Sequence, residues 1–251
     1  MVASLIAITL LVKLYDLFME PQLARSLSLR SYLAYLINGF WLVLRRKPSR
    51  APVSRDLRQL AGAVPASLFS ILLGVGLWQH DWSAVPFALE HALKVSSIVL
   101  AVVLIANASA ATWRLLGGKA LDPMRNPIAA KTPADFWRRW NRPAQQFFNE
   151  YVFLPAGGFR RAVRATLATF GISGLVHEYV FGIAVGRIQG CQILFFSLQG
   201  FAVVATMSTR PSERMSSLWI AGTLVFNLST SVLFFQSVDA VLPFYWPRSA
   251  Y

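Results

Sequence analysis

Two titratable residues lie inside an apolar run, His177 and Glu178 in GISGLVHEYVFG. An ionisable side chain at membrane depth is expensive and usually functional. His177 falls about 14 residues into its run, which at about 1.5 Å per residue puts it near mid-bilayer. A neutral imidazole there suits general-base work on a hydroxyl; the alternative is a structural histidine hydrogen-bonded between helices. Adjacent positions do not share a helix face, so Glu178 reads as a structural, pathway or substrate-contacting residue rather than the partner of His177. Gly171, Ser173 and Gly174 precede the pair and let a neighbouring helix or a ligand approach the backbone closely.

The second chemistry-bearing stretch is DFWRRWN at 135–141. Thr132 and Pro133 ahead of it form a helix start, an N-cap followed by proline in the first turn, with Asp135 favourably placed on the dipole. Phe136, Trp137 and Trp140 make an aromatic face, with Arg138 and Arg139 pointing elsewhere. Asn141 closes the run and Pro143 disfavours its continuation. Taken singly these residues describe an amphipathic helix on a membrane surface. Trp137, Trp140, Arg138 and Arg139 are also the substrate-binding candidates, and Arg138 and Arg139, with Arg142, Arg160 and Arg161, are the cations available to phosphates. Cys191 is the single cysteine, so no disulfide framework or cysteine zinc site forms within the chain, and no base neighbours it in sequence. His80, His91 and His177 are too dispersed for metal-ligand spacing; no metal is expected.

The elements that must position these residues are membrane spans. The chain has 251 residues, 55% hydrophobic and only 14% charged, where a soluble domain carries roughly a quarter. Seven apolar runs stand out: Val2–Phe18, Ser31–Leu44 (short), Leu60–Trp78, Ala92–Leu116, Val163–Val185, Cys191–Met207 and Ser217–Gln236. The expectation is an all-α integral membrane protein of about seven to eight spans in one domain, 1–251, with the motifs in 117–185. The N-terminal run lacks a basic n-region and reads as a retained first helix. Gln145–Pro155 is about half the length a span needs; it reads as an interfacial or re-entrant helix ended by Pro155 and the pair Gly157–Gly158. Arg45–Pro52 reads as a solvated loop.

The net charge of +13 gathers in the segments 45–58, 114–142 and 160–164, whereas 80–91 has no Arg or Lys. Alternation of basic and non-basic loops is the positive-inside pattern. It puts the basic loops, and the N-terminus, in the cytoplasm, and removes nucleic acid as the reason for the charge. The host membrane is either a bacterial inner membrane or the endoplasmic reticulum.

DFWRRWN followed by a span with SGLVHE at 173–178 resembles the membrane-bound O-acyltransferase (MBOAT) superfamily. SGLVHE and the upstream DPMRNPIAAKTPADFW at 122–137 are most similar to the plant-type wax synthases. NEYVFLPAGGFR at 149–160 also resembles bacterial members that O-acetylate polysaccharides. The arginine pair here follows Trp137 directly, where plant enzymes often carry one more residue. The resemblance implies a helical fold with an internal tunnel, His177 as catalytic histidine and Asn141 as the upstream polar residue. It implies transfer of a fatty acyl group from acyl-CoA, a co-substrate rather than a bound cofactor, to a lipophilic alcohol drawn from membrane lipid, wax ester being the leading product. Sterol, diacylglycerol or polysaccharide acceptors are the alternatives within the superfamily. Outside it stands a transporter component with a His/Glu proton relay.

Overall fold

The computed structural model describes residues 2–48 and 51–247. Met1 and the centre of the Arg45–Pro52 loop, Ser49 and Arg50, lie outside the described residues. Helix is the only regular structure among them: α1 (Val2–Met19), α2 (Pro21–Arg25), α3 (Leu29–Ile37), α4 (Val53–Gln79), α5 (Phe87–Leu115), α6 (Pro133–Arg139), α7 (Arg142–Phe148), α8 (Ala162–Val185), α9 (Cys191–Thr206) and α10 (Ser216–Asp239). The reason is the composition: in hydrocarbon, backbone N–H and C=O groups must be satisfied within their own segment.

Four helical segments are long and apolar enough to cross a bilayer: Val53–Gln79, Phe87–Leu115, Gly158–Val185 and Glu213–Asp239. Each leaves most of its apolar surface uncovered, as at Leu68, Phe69 and Leu72 on α4, which suits a helix whose solvent is lipid. The sixteen residues of α9 are apolar but extend only about 24 Å, less than a hydrocarbon core of about 30 Å.

The count of seven to eight spans is not what the described helices give, and the second run shows why. Of Ser31–Leu44 only the part inside α3 is helical, nine residues in all with Leu29 and Arg30, about 14 Å. The chain then leaves helix at Asn38, and α1 captures it. Lys13, fully buried, donates to the carbonyls of Tyr35, Asn38 (2.8 Å) and Trp41 (2.9 Å). Asp16, one turn along, accepts from the Leu44 N–H at 2.8 Å and from the hydroxyls of Tyr35 and Tyr151. Two charges at the end of an apolar helix thus satisfy the backbone of a broken one, which removes the desolvation cost on both sides.

Helices α4 and α5 pair antiparallel around the loop of residues 80–86, and Arg114 near the end of α5 forks onto Asp56 near the start of α4 (2.6–3.0 Å). Helices α8, α9 and α10 form a second layer, which meets the first through Val95, Phe235 and Phe244. The molecule therefore has two ends. One gathers the basic segments, where Asn107 on α5 clasps the backbone of Met124 (2.9 and 3.0 Å) and Lys131 pairs with Glu213. The other holds the 80–86 loop, the α8–α9 turn and residues 243–246. There Lys94 joins Glu90 and the Phe244 carbonyl.

Gln145–Pro155 is partly α7, and continues as one π-helical turn over Asn149–Phe153. Tyr151 binds Asp16 on one side, and Glu150 pairs with Arg45 and Arg46 on the other. This element is a short clamp between the N-terminal helices and the start of α8, where Gly157, at φ 117°, makes the turn.

Candidate active site

Helix α8 carries His177, and the small residues before it act as read from their size, with one exception. A Cβ on Gly174 would stand 3.2 Å from Cβ of Phe196 and 3.3 Å from Cα of Ile193, so α9 lies against the α8 backbone at this turn; at Gly171 nothing lies within 4 Å. That close approach seats the Phe196 ring beside the imidazole, centroids 4.4 Å apart and planes tilted by 37°. Phe234 of α10 closes a second side at 6.2 Å.

The imidazole Nδ1 lies 2.8 Å from the carbonyl oxygen of Ser173. A carbonyl only accepts, so Nδ1 carries the proton. In the neutral ring Nε2 then holds a lone pair, and it has no hydrogen-bond partner among the described residues. The helix itself thus sets the tautomer that a base requires, one turn below the ring.

Helix α6 reaches the same place. Thr132 caps it by accepting from the Asp135 N–H at 3.1 Å. Trp137 packs edge-on to Phe170 (5.3 Å) and tilted to Phe196 (5.9 Å). Its indole donates to Oε1 of Gln199 (2.9 Å), and the amide of Gln199 donates to Thr230 on α10 (2.8 Å). A hydrogen-bonded chain therefore runs α6–α9–α10, beside the aromatic wall of Phe170, Phe195 and Phe196. The structure brings Trp137 and His177 together through Phe196.

The other candidates lie elsewhere. Trp140 stacks on Phe136 at 5.4 Å. Arg139 forks onto Asp135 (2.9 Å to each oxygen), and Arg138, largely exposed, stands 3.8 Å from the same carboxylate. Burial alone would raise Asp135. The hydrogen bond from Arg139, the Lys131 N–H and the two arginine charges outweigh it and hold the carboxyl below its ordinary range. Asn141 is exposed, sits at φ 42°, and caps α7 by accepting from the Ala144 N–H at 3.4 Å; no contact joins it to His177 among the described residues. Glu178 is buried and turned to α9, where its two oxygens take the N–H groups of Gln189 (2.6 Å), Gly190 (2.7 Å) and Gln192 (3.0 Å). His91 is engaged at both nitrogens, by Tyr245 and by Leu228 and Ser231 of α10. No group of His, Cys, Asp and Glu among the described residues gathers as a metal site.

Polar residues absent from the sequence reading complete the surroundings: Gln192, Gln199, Asn227 and Thr230. Gln192 and Gln199, two turns apart on one face of an apolar helix, were the available signal. Oε1 of Gln192 and both side-chain polar atoms of Asn227 are buried without a hydrogen-bond partner among the described residues. These atoms lie on α9 and α10, the two helices that pack against α8 through Phe196 and Phe234.

A family model described as "MBOAT, membrane-bound O-acyltransferase family" matches residues 97–237, more than half of the chain, from within α5 to near the end of α10. The chain belongs to the membrane-bound O-acyltransferase family. With its long apolar helices this makes it an integral membrane protein. The part that matches the family holds His177, Trp137, Phe196 and the buried amides; α1 to α4 lie outside it. Among curated relatives, a probable long-chain-alcohol O-fatty-acyltransferase 2 of Arabidopsis thaliana is 29% identical over 215 residues, 79% of this chain and 63% of that protein. An acyl-CoA–sterol O-acyltransferase 1 of the same plant is 29% identical over 198 residues, 74% of this chain and 56% of that protein. A probable sterol O-acyltransferase 1 of Schizosaccharomyces pombe is 41% identical over 66 residues, 26% of this chain and 12% of that protein. This family member spans 63% and 56% of the length of the two plant relatives.

Proposed function

We propose that this chain carries the catalytic histidine of an acyl-CoA:alcohol O-acyltransferase acting on a lipophilic alcohol at the membrane, with long-chain alcohols, giving wax esters, as the leading acceptor. The observation that carries the reading is the Nδ1 bond of His177 to the Ser173 carbonyl, which leaves Nε2 as a base within an aromatic wall. The acceptor hydroxyl gives its proton to Nε2 as its oxygen attacks the thioester carbon. The C–S bond then breaks, the ester leaves, and the proton passes to the CoA thiolate. No covalent acyl-enzyme is needed. Oε1 of Gln192 is an acceptor, and the amide of Asn227 a donor and an acceptor, for the polar atoms of the incoming groups. The basic end of the bundle, on the positive-inside argument, faces the cytoplasm, where acyl-CoA resides.

The sterol relatives give a second acceptor class the same standing within the site. The proton-relay reading has less support, since Glu178 spends its carboxylate on the backbone of α9. Membranes carrying the wild type or His177→Ala, incubated with labelled palmitoyl-CoA and hexadecanol, sterol and diacylglycerol, decide the matter. A labelled ester from the wild type alone is expected, the substitution costing about 10²- to 10⁴-fold. The ester's identity names the acceptor. No ester from a folded, inserted wild type with any of the three acceptors sinks the proposal.

A further inference from the structure

Residues 240–246 leave the end of α10 and fold back onto the start of α5, at the end of the bundle away from the basic segments. Their backbone is held by charged side chains. Asp239 accepts the N–H groups of Phe244 (2.7 Å) and Tyr245 (2.8 Å). Glu90 accepts from the Trp246 N–H at 2.7 Å, and Lys94 donates to the Phe244 carbonyl at 2.8 Å. Glu90 and Lys94 also pair with each other at 2.7 Å, and both are buried. Nε2 of His91 faces the Leu228 carbonyl and so carries the proton, which leaves Nδ1 to accept from the Tyr245 hydroxyl at 2.6 Å. Burying an ion pair is costly unless its remaining groups are bonded, and here they are spent on one strap of backbone. What the strap secures is an apolar side chain. Phe244, 1% exposed, lies 4.7 Å from Phe235 and 5.7 Å from Trp78. Rings run inward from there: Phe235 to Phe234 at 5.6 Å, and Phe234 to the imidazole of His177 at 6.2 Å. Phe234 and Phe235 precede the end of α10 at Asp239 by about 6–8 Å along the axis, so the wall of the histidine is shallow on this side.

We propose that Phe244, fastened by Asp239 and the Glu90–Lys94 pair, is a water seal that sets the preference of the His177 site for alcohols over water. This rests on the acyl-transfer reading above. A base at Nε2 takes a proton from water as it does from an alcohol. With water, the proton goes to Nε2, the water oxygen bonds to the thioester carbon, the C–S bond breaks and the proton passes to the CoA thiolate. The products are free fatty acid and CoA, and the ester is lost. Exclusion of water from a site prevents this side reaction. Phe244 closes the site on the side where α10 ends nearest to the imidazole.

Purified full-length protein in nanodiscs, given labelled palmitoyl-CoA with hexadecanol or a sterol, is read for two products at once, the ester and free palmitic acid. The wild type is expected to give mostly ester. F244L, F244V and F244A keep every charge and shrink the side chain stepwise. They are expected to raise the acid-to-ester ratio in that order, severalfold by alanine. The acid is expected to disappear when His177→Ala is added to the same chain. Y35F removes the hydroxyl that Asp16 holds in the N-terminal helices. It is expected to lower both products together and leave the ratio at the wild-type value, which separates water entry from loss of folded protein. If F244A does not insert, F244V carries the comparison. A ratio unchanged across the Phe244 series while ester still forms overturns the seal. So does an equal rise in Y35F, or acid that persists without His177. Neither ester nor acid from the wild type overturns the acyl-transfer reading itself, and the seal with it.

Discussion

His177 and Trp137 rest against the same ring: Phe196 lies 4.4 Å from the imidazole and 5.9 Å from the indole. The helix bearing DFWRRWN therefore touches the helix bearing the histidine through one aromatic side chain, and Gln199, nearly one turn further along α9, locks the indole in place. In Gln199→Leu the half-buried Trp137 N–H loses its acceptor, at a cost of about 1 kcal/mol. Thermal unfolding in detergent is expected to fall accordingly, and ester formation with it, because Phe196 loses its outer support. The double change Trp137→Phe/Gln199→Leu removes both partners and is expected to recover most of the stability. Additive losses in the double variant speak against the coupling.

Glu178 adjoins the histidine in sequence but works on another helix end. Its carboxylate accepts the N–H groups of Gln189 and Gly190, just ahead of α9, and of Gln192 in its first turn, where a helix N-terminus favours a negative charge. Glu178→Gln is expected to lower stability by about 1–3 kcal/mol, with the rate per folded molecule little changed at low temperature. A loss of rate at unchanged melting temperature gives Glu178 a part in the chemistry instead.

What the sequence discloses and what it hides divide along the range of the interactions. Apolar runs report themselves because hydrocarbon demands them, and the Thr132 cap of α6 because its donor and acceptor are three residues apart. The short length of Ser31–Leu44 is legible, but what holds its broken end is hidden: Lys13 and Asp16 reach across from α1 to residues 35–44. The partners of Glu178 are hidden for a related reason: backbone N–H groups have no letter in a sequence. The family resemblance makes Asn141 the upstream polar residue of the site, and the structure finds its oxygen capping α7. Gln199 meets Trp137 across 62 positions, and only the two-turn spacing of Gln192 and Gln199 hints that this face of α9 is polar.

Asp135 makes the α6 start sensitive to acid. Its carboxyl is held below the ordinary value of 3.8 by Arg139, the Lys131 N–H and Arg138 against the opposing effect of burial. A group depressed in the folded state contributes its full stability above the unfolded pKa and loses it as pH falls through the folded one. The difference in melting temperature between wild type and Asp135→Asn is therefore expected to be present at about pH 6 and to shrink toward about pH 3. A difference that is constant over that range refutes an ionic role for Asp135.

Asn227 offers the sharpest separation of stability from function. Both polar atoms of its amide are buried and unpaired among the described residues, although Thr230, on the next turn, is engaged with Gln199. An unpaired buried amide costs about 1–3 kcal/mol, and a leucine of similar volume fills the same space without that cost. Asn227→Leu is thus expected to leave the melting temperature unchanged or raised while ester formation falls, most visibly as a raised KM for the acceptor. The trade is the one seen where a protein keeps a destabilising group for its ligand. Thermal unfolding and initial rates over a series of hexadecanol concentrations measure both halves on the same preparation. Should Asn227→Leu lose stability and keep its rate, the amide has a structural partner and does not serve the acceptor.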